Sequence, residues 1–127
     1  MKKIIQTEQA PQAVGPYSQA VKMGDFLFCS GQISINPKTQ EVMLGSIEQQ
    51  TEQVLSNIEA VLKAADMKFE NVIKTTIFLT SMSDFATVNE IYAKKFKQAP
   101  PARSTVAVSG LPKGVQVEIE VIAHVGA

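Results

Sequence analysis

Two stretches of this chain carry helical periodicity, and most of the remainder reads as strand or turn. The first follows Ser46, where Gln49 three residues on completes a capping-box pattern. Behind it Ile47, Val54, Leu55, Ile58, Val61, Leu62 and Ala65 recur at helical spacing. That predicts an amphipathic helix of about five turns. The second starts near Ser83 or Asp84, either of which can cap it, and sets Phe85, Val88, Tyr92 and Phe96 on one face. Ala99-Pro100-Pro101 ends it, because proline cannot continue a helix. Each apolar stripe needs a layer to lie on.

Strands supply that layer. Residues 2–7 fit a short strand, and Val14-Gly15-Pro16-Tyr17 is a loop punctuated by Gly and Pro. Tyr17 to Val21 and Phe26 to Ile35 look extended about a tight turn at Met23-Gly24-Asp25, which predicts a hairpin. Asn36-Pro37-Lys38-Thr39 reads as another turn. Val72 to Thr80 is rich in β-branched residues and has no breaker, so it is a strand. Arg103 to Val108 looks extended, and Leu111-Pro112-Lys113-Gly114 turns the chain. The last strand runs from Val115 to Val125, with Val115, Val117, Ile119, Val121, Ala123 and Val125 alternating along it. Two helices cannot cover both faces of a six-stranded sheet, so the fold class is α+β with both helices on one face. The other face then keeps apolar surface that its own chain leaves bare, and self-association is one way to bury it.

The 127 residues, 45% of them hydrophobic, are enough for one core and one domain spanning 1–127. Formal net charge is zero, so nothing in the total charge points to nucleic acid or an anionic membrane. The longest basic cluster, Lys94, Lys95 and Lys97, reads as a solvated helix face. The N-terminal Met1-Lys2-Lys3-Ile4-Ile5-Gln6 lacks the apolar run of a signal peptide. No segment approaches the length of a membrane span, and the expected compartment is the cytoplasm. The lone cysteine, Cys29, sits beside Phe26, Leu27 and Phe28 and reads as a buried strand thiol.

Candidate chemistry is sparse. Arg103 is the only arginine among twelve basic residues. Only a guanidinium offers a planar fork for a carboxylate or phosphate, although a surface ion pair at a strand start would also account for it. Glu118 and Glu120 point to one strand face, opposite the valines. A polar outer face explains both; a carboxylate there can also hold a water as general base. His124 shares that face and has no second His or Cys to form a metal site with. Tyr17 follows a stiff Gly15-Pro16 turn, and Gly31 interrupts an apolar strand, as a glycine does where a ligand or backbone comes close. There is no phosphate-cradling glycine loop, no metal-ligand cluster, and no partner to orient His124 in a Ser-His-Asp triad.

Taken together, several segments resemble the reactive intermediate deaminase (Rid, YjgF) family. They are Ala13-Val14-Gly15-Pro16-Tyr17-Ser18-Gln19-Ala20 with Ser30-Gly31-Gln32-Ile33; Lys74-Thr75-Thr76-Ile77-Phe78-Leu79 with Asp84-Phe85-Ala86-Thr87-Val88-Asn89; and Pro101-Ala102-Arg103-Ser104-Thr105-Val106 with Leu111-Pro112-Lys113-Gly114 and Val117-Glu118-Ile119-Glu120-Val121-Ile122-Ala123. Order and spacing agree from about residue 4 to residue 125, and the match is nearest to the RidA subfamily of 2-iminobutanoate/2-iminopropanoate deaminases. The resemblance implies a chorismate-mutase-like fold, and a homotrimer whose sheets form a central β-barrel with active sites between subunits. It implies cofactor-free, metal-free hydrolysis of 2-imino acids released by pyridoxal-phosphate enzymes. It makes Arg103 the substrate-carboxylate binder, Glu118 the residue that activates water, Tyr17 a cleft residue acting on water or substrate, Gly31 a backbone contact, and Asn89 a lining residue. Members commonly carry cysteine two residues after the arginine; here it is Thr105, on the same strand face as Arg103, so Thr105 should border the site without supplying a thiol. A non-catalytic trimer that binds small carboxylates and regulates a partner protein would keep Arg103 without needing Glu118. An RNA-acting protein would want a basic footprint that this chain lacks.

Overall fold

The computed structural model covers residues 1–127. Its long helix α1 (Ile47–Ala64) is nucleated as the sequence requires: the Ser46 hydroxyl accepts from the Gln49 amide, and the Gln49 side chain accepts from the Ser46 amide. Val54, Leu55, Ile58, Val61 and Leu62 face the core and are almost wholly buried. Buried polar residues on α1 are paired. Asn57 Nδ2 donates to the Ile33 and Ile35 carbonyls, and Gln50 exchanges hydrogen bonds with Gln116, tying α1 to the approach of the last strand.

The helix lies on a six-stranded sheet formed by β1 (Lys2–Ile5), β2 (Ala20–Met23), β3 (Phe26–Gln32), β4 (Val72–Leu79), β5 (Ala102–Ala107) and β6 (Val117–His124). Their spatial order is β1-β2-β3-β6-β4-β5, antiparallel throughout except for β4 against β5. That one parallel pair requires a crossover, which the second helix α2 (Phe85–Ala93) supplies. Leu27, Cys29, Ile77, Leu79, Val117, Ile119, Val121 and Ala123 project to the helix side and, with α1 and α2, form the core. The expected α+β layer, with both helices on one face, is what the chain adopts. The opposite sheet face leaves Ile4, Met23, Phe26, Phe28 and Val106 exposed.

Element ends depart from expectation for local reasons. Met23 pairs with Phe26 inside the hairpin, so the turn is Gly24-Asp25, with Gly24 at φ 59°. β3 stops at Gln32 after a register shift, and Ile35 keeps an isolated bridge to Val42. Neither expected cap holds α2: Asp84 makes no capping bond, and the Ser81 hydroxyl instead accepts from the Ser83 amide to start a short 3-10 turn. α2 ends at Ala93, well before the prolines. Lys94 and Lys95 tighten to i→i−3 bonds on the Ile91 and Tyr92 carbonyls. Phe96 still packs where the helical spacing put it, its ring 4.4 Å from Tyr92 and 5.2 Å from Phe69. Val115 precedes β6, and Val125 lies beyond it, donating to the Asp25 carbonyl.

Candidate active site

The six residues singled out from the sequence fall into two groups. Tyr17, Gly31 and Glu118 line one cleft of about 590 Å³, together with Ser30, Gln32 and Lys113. The register shift in β3 lets Ser30 and Gly31 leave the ladder with β6. Ser30 then turns to the preceding loop, its amide donating to the Gln19 carbonyl and its hydroxyl to the Ser18 carbonyl at 2.6 Å. Gly31 is left beneath Glu118. A Cβ on Gly31 would stand 2.8 Å from the Glu118 carboxyl carbon and closer still to one carboxylate oxygen. The close approach that this glycine permits is therefore to the chain's own carboxylate. Burial pushes the Glu118 carboxyl above the ordinary carboxylate range, and the nearby Glu120 charge adds to the shift.

The loop carrying Tyr17 is stapled by a residue that sequence reasoning passed over. Gln19 is buried; its Oε1 accepts from the Thr7 amide at 2.7 Å, and its Nε2 donates to the Thr7 and Pro11 carbonyls at 3.0 and 2.7 Å. Tyr17 itself is about half exposed at the cleft. Cys29, two residues before Gly31, faces the core, and burial pushes its thiol up to about 12, so it is inert near neutral pH. His124 stands at the end of β6 with its Nδ1 accepting from the Gly126 amide and its ring edge-on to Phe26.

The second group gathers around Arg103. Its Nη1 donates to Asn89 Oδ1 at 2.7 Å, and its guanidinium carbon lies 5.0 Å from the Tyr92 ring centroid and 5.5 Å from that of Phe85. Thr105, two residues on along the same face of β5, has a buried hydroxyl with no hydrogen-bond partner. Asn89, expected from the resemblance as a lining residue, touches the guanidinium directly. Phe85 and Tyr92 entered the sequence reading only as core residues; their spacing with Asn89, i, i+4 and i+7, was the available sign that all three serve one helical face.

Register keeps the two groups apart within one chain. Arg103 pairs with Thr75 and Thr105 with Ile77, both on the helix side of β4. Glu118 pairs with Phe78, which projects to the other side. The strand β4 stands between β5 and β6. Arg103 and Glu118 thus occupy opposite sheet faces, one strand apart.

A mixed six-stranded sheet with two helices on one face, a cleft holding Glu118 on one side and an arginine walled by neutral groups on the other, defines a small α+β protein of one layered domain. The profile described as Endoribonuclease L-PSP matches residues 7–125, and the chain belongs to that family, the Rid/YjgF family. A Yersinia pestis protein, YyfA of the conserved Rid protein family, is 53% identical, with a TM-score of 0.96, covering 98% of this chain and 99% of its own. Escherichia coli TdcF, solved with bound serine, is 43% identical, with a TM-score of 0.91, covering 96% and 98%. The chloroplastic Reactive Intermediate Deaminase A of Arabidopsis thaliana is 49% identical over 96% of this chain and 65% of its own length.

Proposed function

We propose that this chain is a deaminase of reactive 2-imino acids, hydrolysing 2-iminobutanoate and 2-iminopropanoate to 2-keto acids and ammonia, and that it works as a cytoplasmic homotrimer. The observation that carries the reading is the setting of Arg103. Its partners are an amide oxygen and two rings, so its charge and most of its N–H donors stay available to a carboxylate. A relative solved with bound serine, and another named for deaminating reactive intermediates, agree with a small carboxylate as ligand.

The chemistry asks little of the protein. A protonated imine is already electrophilic at C2. Arg103 holds the carboxylate through parallel N–H bonds and so fixes C2 in space. Glu118, its basicity raised by burial, takes a proton from the attacking water. The C–O bond forms as the C=N π pair moves to nitrogen. Glu118 then protonates that nitrogen. The C–N bond breaks with its pair leaving on ammonia as an oxygen lone pair forms the C=O bond, and the hydroxyl proton passes back to Glu118, or to the ammonia, leaving the keto acid. Tyr17, at the mouth of the same cleft, orients water or substrate. Gly31 offers its backbone, and Thr105 and Asn89 border the carboxylate end. No metal or cofactor enters any of these steps.

Because Arg103 and Glu118 face opposite ways in one chain, this mechanism needs Arg103 of one subunit and Glu118 of another. The bare apolar sheet face gives the subunits reason to associate. The test is direct: threonine dehydratase generates 2-iminobutanoate, semicarbazide traps it, and adding the protein should suppress semicarbazone. Sedimentation equilibrium should give a trimer mass. A monomer, or semicarbazone formation unchanged by the protein, would overturn the reading.

A further inference from the structure

The α2 helix does more than cross over between β4 and β5. Phe85, Asn89 and Tyr92 recur at i, i+4 and i+7, so they form one stripe along it. All three meet the same partner: Asn89 Oδ1 takes the Arg103 Nη1 proton at 2.7 Å, and the guanidinium lies within 5.5 Å of both ring centroids. The stripe is itself anchored. Tyr92 is buried, and its hydroxyl bonds Thr75 Oγ1 at 2.7 Å. Thr75 is fully buried on β4 and is the register partner of Arg103 on β5. A closed circuit results: β5 carries Arg103, β4 carries Thr75, Thr75 holds Tyr92, and Tyr92 with Phe85 and Asn89 holds Arg103.

Every member of that circuit is uncharged except Arg103. Aromatic faces and an amide oxygen orient a guanidinium without neutralising it. A carboxylate at position 89 would orient it too, and would occupy the fork that a ligand needs. The sequence choice of Asn at this position, one carboxylate short of an internal ion pair, therefore has a functional reading.

We propose that Phe85, Asn89 and Tyr92, locked by Thr75, are positioning residues that hold Arg103 in one orientation with its charge unspent, so that the affinity of the site for a carboxylate is set by the α2 stripe. This rests on the reading of Arg103 as a carboxylate binder.

Asn89→Asp is the decisive change, because it is isosteric and keeps the contact to Arg103. It should bind 2-oxobutanoate, the keto-acid product, at least about tenfold more weakly by isothermal titration calorimetry, as a competing charge-assisted pair demands. It should raise KM for 2-iminobutanoate in parallel, while its Tm stays at or above that of wild type. Phe85→Leu keeps apolar bulk and loses the ring face; it should weaken 2-oxobutanoate binding by about threefold, the worth of one exposed cation–π contact. In arginine-labelled protein, the separate Nη resonances of a held guanidinium should be seen in wild type and should average in Phe85→Leu. An Asn89→Asp variant that binds 2-oxobutanoate as wild type does would overturn the proposal, as would Nη signals already averaged in wild type. Held Nη signals in a wild type that binds 2-oxobutanoate, with the Asn89→Asp loss, but does not hydrolyse the imine would support the proposal and sink the deaminase reading alone; a wild type that binds no 2-oxobutanoate would overturn both.

Discussion

Gly31→Ala separates fold from function at one atom. The added methyl would lie 2.8 Å from the Glu118 carboxyl carbon and 3.1 Å from its Cγ, against an ordinary contact limit of 3.4 Å. The carboxyl carbon must then retreat by about 0.6 Å, and the nearer oxygen by more. What yields is the free end of a half-buried side chain, not backbone, so the fold can absorb the change. Gly31 does not have a positive φ, so alanine fits its backbone and should recover about 0.4–1 kcal/mol from the unfolded state. Misplacing a general base by the better part of an ångström costs up to about 100-fold in rate. Gly31→Ala should therefore keep its Tm within a few degrees of wild type and lose roughly 10- to 100-fold in kcat for 2-iminobutanoate hydrolysis. Gly110→Ala, where no atom lies within 4 Å and φ is not positive, is the control and should match wild type in both measurements. Full turnover by a folded Gly31→Ala would mean that the position of the Glu118 carboxylate does not matter to the reaction.

Three further outcomes are expected. Arg103→Lys keeps the charge and loses the planar fork; it should stay folded and lose on the order of tenfold or more in kcat/KM, equivalent to roughly 1.4 kcal/mol, and near-normal turnover would end the carboxylate-clamp mechanism. Thr105→Val removes a buried hydroxyl that has no partner; urea denaturation should show stabilisation of about 1 kcal/mol with most activity kept, and a loss of stability would reveal a partner for that hydroxyl in the assembled protein. Burial raises the Glu118 pKa in the folded chain, so the folded state holds this proton more tightly than the unfolded one, and stability falls as pH rises from the ordinary glutamate value through the raised folded one. Glu118→Gln should accordingly melt higher than wild type at neutral pH, converge with it below about pH 4, and bind 2-oxobutanoate while hydrolysing imine poorly; an unchanged Tm difference across that range would show that the carboxylate is not strained by burial.

Much of the architecture was legible because two periodicities wrote it. The apolar stripe from Ile47 to Ala65 and the alternation from Val117 to Ala123 describe surfaces that fit each other, and both survive in the fold. Element ends were less legible because tertiary packing decides them. Phe96 keeps its place in the core through Tyr92 and Phe69 after α2 has unwound, so apolar spacing alone overstates the helix. The Gln19 staple left no trace in periodicity, since its four partners are backbone atoms of residues 7–11, and any sequence offers those.

The site divides the same way. Alternation correctly put Arg103 and Thr105 on one face, and Glu118 and Glu120 on another, but parity within a strand says nothing about which face of the sheet a neighbouring strand shares. That is set by register: Arg103 falls level with Thr75, and Glu118 level with Phe78, so adjacent residues of β4 in opposite phase carry the two groups apart. A one-residue slip of β5 against β4 would bring Arg103 to the face of Glu118 and bury Ser104 and Val106 against the helices. The observed register is tied by Arg103 itself, whose bond to Asn89 Oδ1 and contacts with the Phe85 and Tyr92 rings exist only when it faces α2. If the two residues serve one site, as proposed, that site needs a second copy of the chain, and the exposed face bearing Phe26, Phe28 and Val106 is apolar surface such a copy would cover.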